Sequence, residues 1–222
     1  MSDGEVFTAL GDGCDSGEIR ITAGGVTASV PVTINGQTEY SDIEGHWGEA
    51  FIRHLADLGV VEPAEDGLFS PDSPMMRQEF VSMLWRAVGA PVVEGECTFE
   101  DVFPDDPYYE AVTWGQRIGL TNGVTPVAFD PDGGLTREQA FTLVYRLLTI
   151  LRKELPEPDL SVLDAFPDGT MVNEYAREAV ATLIQTETVN GAGGSLYPFG
   201  DITRSELSKV TCIAVLNWTP EE

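Results

Sequence analysis

One pattern occurs three times in this chain of 222 residues, and it rules out most single-unit folds. Residues 40–89, 99–148 and 164–216 each hold an aromatic or Asp start, an amphipathic stretch and a Gly-rich turn. Each then continues through an aromatic near a Pro to an Arg that opens a second amphipathic stretch. Those arginines are Arg77, Arg137 and Arg204, spaced 60 and 67 residues apart. A period this long in three copies points to a repeat architecture and away from a single catalytic domain. One unit of two short helices cannot bury both apolar faces, whereas three units can do so mutually. The expected fold class is mainly α, three helical repeats with a small N-terminal β-hairpin. The expected divisions are 1–38 for the hairpin and linker, then 39–91, 99–152 and 163–218.

In the first repeat Trp47, Phe51, Leu55 and Leu58 fall at helical spacing, and Gly59 is placed to end that helix. The second helices carry one apolar face each: Phe80, Leu84 and Val88, then Phe141, Val144 and Leu148, then Leu207, Val210 and Ala214. Thr136 with Gln139, and Thr203 with Glu206, form capping boxes that satisfy orphan amides at two helix starts. Met76 stands at the cap position of repeat one, so only Glu79 of that box is present. Between the helices lie DGLFSPDSP, PVAFDPDGG and GSLYPFGD, in which an aromatic anchors a polar turn stiffened by Pro. Linkers are expected at 90–98 and 155–162.

The first 38 residues follow a different period. Ile19 and Ile21, then Val26, Ala28, Val30, Val32 and Ile34, alternate as half-buried strands do, with Gly24 and Gly25 as the turn. A lone hairpin is marginal in water, so it is expected to belong to a larger β domain or to lie against the rest of the chain.

Thirty-seven acidic against 12 basic side chains give a formal charge of −25. Such a charge repels nucleic acid and anionic bilayers, so neither nucleic-acid binding nor membrane insertion is expected. No stretch approaches the roughly 20 apolar residues of a membrane span. Met1-Ser2-Asp3 does not begin a signal peptide, so the chain is expected to be cytosolic or a piece of a longer secreted one. Cys14, Cys97 and Cys212 are too few and scattered for a disulfide framework or zinc site, and Cys212 is expected to be a small core residue.

Nothing in the chain is arranged for catalysis. Asp130 and Asp132 could begin a calcium loop, but the twelfth position, where a bidentate Glu is needed, is Phe141. His46 and His54 lack partner motifs and suit surface or capping roles. There is no nucleophile elbow, phosphate loop or dinucleotide fingerprint, and pairs such as Asp105 and Asp106 lie in loops. No catalytic residue, metal or cofactor is expected.

The three arginines need a reason, because a cation in the first turn of a helix faces the positive end of the dipole. In one reading each guanidinium, together with free backbone amides of the helix start, binds an anion. In the other, each Arg pairs with an Asp of its own or a neighbouring repeat and fixes the assembly.

From Tyr40 to about Leu216 the chain resembles a tandem of three S-layer homology domains. The resemblance rests on Tyr40-Ser41-Asp42-Ile43, His46-Trp47, Phe69-x-Pro71 and Arg77-Gln78-Glu79 in repeat one. In repeat two it rests on Phe99-Glu100-Asp101-Val102, Gly119-Leu120-Thr121-Asn122-Gly123, Phe129-x-Pro131 and Thr136-Arg137-Glu138-Gln139. Repeat three carries Phe166-Pro167-Asp168, Tyr175, Val189-Asn190-Gly191 and Thr203-Arg204-Ser205-Glu206. It departs from the family at Met76, at Pro63 in place of the second turn glycine, and at Glu187 in place of the first. Residues 1–38 resemble the closing strands of a bacterial immunoglobulin-like module.

The resemblance implies a pseudo-threefold assembly with grooves between repeats, outside the cell at the wall or S-layer. It implies non-covalent anchoring of a secreted protein to a secondary cell-wall polysaccharide, commonly one bearing ketal-linked pyruvate. Other copies of the surface protein are the alternative partners, in a self-assembling layer with vestigial grooves. The implied glycan-binding residues are Arg137, Arg204 and Arg77 for the carboxylate, and Asp42, Asp101 and Asp168 for hydroxyls. Trp47, Tyr108 and Tyr175 would face sugar rings, although Trp47 and Tyr175 lie on apolar helical patterns that suit a core. Arg137, in the repeat with the best-kept motifs, is expected to contribute most.

Overall fold

A computed structural model describes residues 17–23, 26–32, 40–62 and 67–220. The chain divides into two units, residues 1–39 and 40–222. In the first, β1 (Gly17–Ala23) pairs antiparallel with β2 (Val26–Val32), in a register running from Gly17 opposite Val32 to Ala23 opposite Val26. The expected hairpin is therefore present, while its turn at Gly24-Gly25, like Cys14 and Pro63, lies outside the described residues.

The second unit is helical, with two helices per repeat. Repeat one has α1 (Glu49–Asp57) and α2 (Arg77–Ala87), and repeat two has α3 (Tyr109–Arg117) and α4 (Arg137–Ile150). Repeat three has α5 (Arg177–Gln185) and α6 (Arg204–Val210), the latter running on into a π-helical turn, Thr211–Val215. The longer approach to α5 is taken up by three 3-10 turns, Leu160–Ala165, Gly169–Met171 and Glu174–Ala176. The expected linker at 155–162 thus ends inside a turn whose Leu163 is buried.

The helices pack between repeats in a closed cycle: α2 on α3, α4 on α5, and α6 back on α1. Apolar residues of all three repeats form one continuous core, including Leu55, Phe80, Leu84, Phe141, Val144, Leu183 and Leu207. The apolar faces expected for α2, α4 and α6 point into it. Repeat one differs at its start: Ile52, Leu55 and Ala56 are the buried stripe of α1, while Trp47 precedes the helix and Leu58 caps it in solvent. Cys212 is buried, which pushes its thiol up to about 12 and makes it inert.

Main-chain hydrogen bonds close the same cycle at its centre. The amides of Arg77 and Gln78 donate to Gly133 O and Pro131 O, those of Arg137 and Glu138 to Gly200 O and Pro198 O, and those of Arg204 and Ser205 to Ser73 O and Pro71 O. Each second helix therefore has its first two orphan amides satisfied by the turn of the next repeat. Pseudo-threefold closure is written into the backbone. It also removes the free helix-start amides that the anion reading had assigned to the arginines.

Candidate functional site: three grooves between repeats

The turn that receives each helix start is held by an aspartate 27 to 29 residues earlier. Asp42 accepts from the amides of Phe69 (2.9 Å) and Ser70 (2.6 Å), and Asp101 from those of Phe129 (2.8 Å) and Asp130 (2.7 Å). Asp168 accepts from Leu196 (2.9 Å) and Tyr197 (2.7 Å). Ser70, Asp130 and Tyr197 all have left-handed backbone, with φ of 57°, 61° and 51°. That conformation costs a non-glycine roughly 1 to 2 kcal/mol, which two charge-assisted bonds of about 1.5 to 3 kcal/mol each outweigh. Burial raises the pKa of these three carboxyls, but the backbone amides win and hold each below its ordinary value. Their carboxylates are turn staples first, and none lines the grooves described below.

The same bonds show where repeat three was misread. Leu196, fully buried, occupies the place of Phe69 and Phe129, whereas Tyr197 and Phe199 are half exposed. The anchor of that turn is Leu196-x-Pro198, a match by volume that an aromatic-Pro search does not find.

Each Arg reaches into the next repeat. Arg137 Nε donates to Leu196 O at 2.7 Å and its Nη1 pairs with Glu206 Oε1, and Arg204 Nε donates to Phe69 O at 2.7 Å while its Nη1 pairs with Glu79 Oε1. The partner is thus the Glu of the next repeat's capping box, not an Asp. One carboxylate performs two tasks: Glu206 Oε2 accepts the Thr203 amide and Glu79 Oε2 the Met76 amide, leaving Oε1 for the arginine.

Repeat two breaks this pattern. Gln139 Oε1 caps its own helix by accepting the Thr136 amide at 3.1 Å. The other end of an amide is an NH2, a donor that cannot receive a guanidinium. Arg77, which faces it, has no ion pair among the described residues, and its Nε is buried with no hydrogen-bond partner. Burial lowers the Arg77 pKa, and the nearby charge of Asp130 partly offsets this.

Three grooves result, each built from all three repeats. About 310 Å³ lies beside Arg137 and Glu206, bounded by residues 188–192 and the Trp47 ring. About 240 Å³ lies beside Arg204 and Glu79, bounded by residues 60–62 and Tyr108. About 370 Å³ lies beside Arg77 and Gln139, bounded by residues 121–124, Arg146 and Tyr175. Trp47 and Tyr175 are each 54% exposed at a groove edge rather than in the core, a correction to the helical-pattern reading. Glu138, which the sequence did not single out, is buried and accepts from Tyr175 Oη (2.7 Å), Asn173 N (3.0 Å) and Asn173 Nδ2 (2.6 Å).

The S-layer homology domain matches this chain three times, at residues 39–81, 98–141 and 165–208. The chain belongs to the S-layer homology domain family. Its relatives include surface-layer proteins and enzymes. It is 28% identical over 189 residues to the surface-layer 125 kDa protein of Lysinibacillus sphaericus, covering 83% of this chain and 15% of that protein. It is 26% identical over 172 residues to an amylopullulanase of Thermoanaerobacterium thermosulfurigenes, 77% of this chain and 9% of the enzyme. It is also 26% identical over 181 residues to an endoglucanase of a Bacillus species, strain KSM-635, 81% of this chain and 19% of the enzyme. The chain therefore spans less than a fifth of these relatives' length. What it shares with them is the S-layer homology module, which attaches proteins to the bacterial cell surface, at the cell wall or S-layer.

Among the described residues no helix is long and apolar enough to cross a membrane, and no cluster of His, Cys, Asp and Glu has a metal-holding arrangement. His46 has a local role: its Nδ1 accepts from Gly48 N at 3.0 Å and its Nε2 meets Asp72 at 3.2 Å, fixing the approach to α1. His54 stacks on Trp218 with ring centroids 3.9 Å apart.

Proposed function

We propose that this chain holds a bacterial surface protein to the cell wall by taking a wall polysaccharide into the inter-repeat grooves, an acidic, pyruvylated glycan being the fitting form. The carrying observation is that all three grooves repeat one design: a guanidinium at the base, the turn after a first helix on one side and an aromatic at the edge. Arginine suits planar recognition of a carboxylate, and an exposed ring suits the apolar face of a sugar. Arg77, Arg137, Arg204, Trp47, Tyr108 and Tyr175 are the proposed contacts. Asp42, Asp101 and Asp168 act by shaping the turns.

A second reading has support from the pairing of Arg137 with Glu206 and Arg204 with Glu79. Two grooves already neutralised from within suit protein contacts in a surface layer. Sedimentation with purified walls, before and after hydrofluoric acid extraction of the wall polymer, separates the two. Anchoring to the polymer requires binding that disappears on extraction, and binding that survives it sinks the reading.

A further inference from the structure

We infer that the three grooves are not equivalent and that the one between Arg77 and Arg146 is the anion site, selective for a saccharide carrying a carboxylate. The inference rests on the glycan-binding reading above and goes further by assigning the charged contact to one groove. In the two sister grooves a carboxylate of the protein itself lies on the guanidinium, at Glu206 and at Glu79. Those two side chains mark where a carboxylate oxygen meets this arginine. The third groove has Gln139 there, so the position is empty of charge while the cation remains.

Three further observations converge on this groove. Arg77 Nε is buried and unpartnered, and its sisters donate at the same place to Leu196 O and Phe69 O. In the sisters Nε holds the facing turn and Nη1 meets the acid, so Arg77 lacks both the anchoring bond and the neutralising carboxylate. Arg146 supplies a second guanidinium, whose one hydrogen bond among the described residues is a long contact of 3.5 Å from Nη1 to Leu120 O. Tyr175, whose hydroxyl is fixed by Glu138, presents a ring to the same space. Of the acids nearby, Glu138 holds Tyr175 and Asn173, and Asp130 lies close enough for its charge to act on Arg77 but forms no ion pair with it among the described residues. In a chain of net charge −25, two cations that line one groove and form no ion pair among the described residues are a local reversal that favours an anion.

The test exchanges the amide and the acid, since both residues cap their helices and either can do so with its Oε atom. The probe is a methyl glycoside bearing a ketal-linked pyruvate, titrated calorimetrically against its methyl ester. Wild type is expected to bind the acid at one site and the ester about tenfold more weakly or worse. Q139E, which delivers an internal carboxylate to Arg77, is expected to lose about tenfold in affinity for the acid. E206Q, which frees Arg137, is expected to take up a second equivalent. Wild-type affinity in Q139E overturns the inference, as does equal binding of ester and acid. Stoichiometry that stays at one in folded E206Q overturns the claim that the internal acid is what closes a groove. Failure here is distinguishable from failure of the anchoring reading. Wild type that binds the acid but does not sediment with walls defeats anchoring alone, and wall binding equal in Q139E and wild type defeats the anion assignment alone.

Discussion

Arg137 and Arg77 stand at the same place in consecutive repeats, yet one is a fastened structural cation and the other an unmet one. Arg137 is 6% exposed, donates to Leu196 O and is paired with Glu206, while Arg77 is half-buried and its Nε has no acceptor. For the ion pair a single atom class makes the difference, because the residue opposite offers an oxygen in one groove and an NH2 in the other. Quasi-identical repeats can therefore diverge, two arginines locking the ring and the third left unfastened.

The sharpest way to break this comparison is to truncate both arginines. Arg137→Ala leaves Glu206 half-buried without its cation and is expected to cost roughly 3 to 5 kcal/mol of stability. Arg77→Ala removes a desolvated charge with no partner and is expected to change stability by about 1 kcal/mol or less. Urea unfolding of the two variants checks this, and equal losses would show that the arginines are interchangeable.

A somewhat smaller effect tests the turns beneath the grooves. Asp101→Ala removes the acceptor of two amides and frees left-handed Asp130, at an expected cost on the order of 3 kcal/mol. The three staples also set an acid limit. Because their folded pKa values lie below the ordinary 3.8, their contribution is complete above that pH and is lost as pH falls through the lower folded values. Thermal melts should be flat in this contribution above about pH 5 and fall steeply below about pH 4. Asp101→Ala should show a shallower fall.

The smallest expected effect concerns the turn after the first helix of each repeat. Gly59 and Gly119 have φ of 68° and 77°, and repeat three has Glu187 at 57°. Glu187→Gly is expected to stabilise by about 0.5 to 1 kcal/mol, the strain relieved less the added chain entropy. Gly119→Ala should do the reverse, and since a Cβ there meets nothing within 4 Å, the whole effect is backbone strain. A melting temperature that does not move in opposite directions would refute the equivalence of the three turns.

The number of repeats, the two capped helix starts at Thr136 and Thr203 and the core position of Cys212 were all legible in the residues, because each depends on chemistry within a few positions. Thr136 and Gln139 cap one helix whatever the rest of the chain does, and the apolar faces of α2, α4 and α6 follow from their own spacing. The same local rules misplaced Trp47 and Tyr175, whose helical spacing suggested a core although both stand at groove edges. The family resemblance offered Asp42, Asp101 and Asp168 to glycan hydroxyls, and local sequence could not show that these carboxylates accept from amides 27 to 29 residues away. Arg137 looked the best-placed ligand contact because its repeat keeps its motifs most fully, but its internal partners, Leu196 O and Glu206, come from the next repeat, which its own motifs do not reveal.

By itself the sequence determined that three helix pairs must share a core, since period and capping are local properties of the chain. Only the tertiary structure decided which arginine is spoken for. That depends on ring closure, which sets Arg204 Nε on Phe69 O across 135 residues and Arg137 on Glu206 across 69. A substitution of Gln for Glu at position 139 is plain in the sequence. Its meaning appears only when closure puts that side chain and Arg77 in one groove, where a carboxylate oxygen pairs with a guanidinium and an amide nitrogen does not.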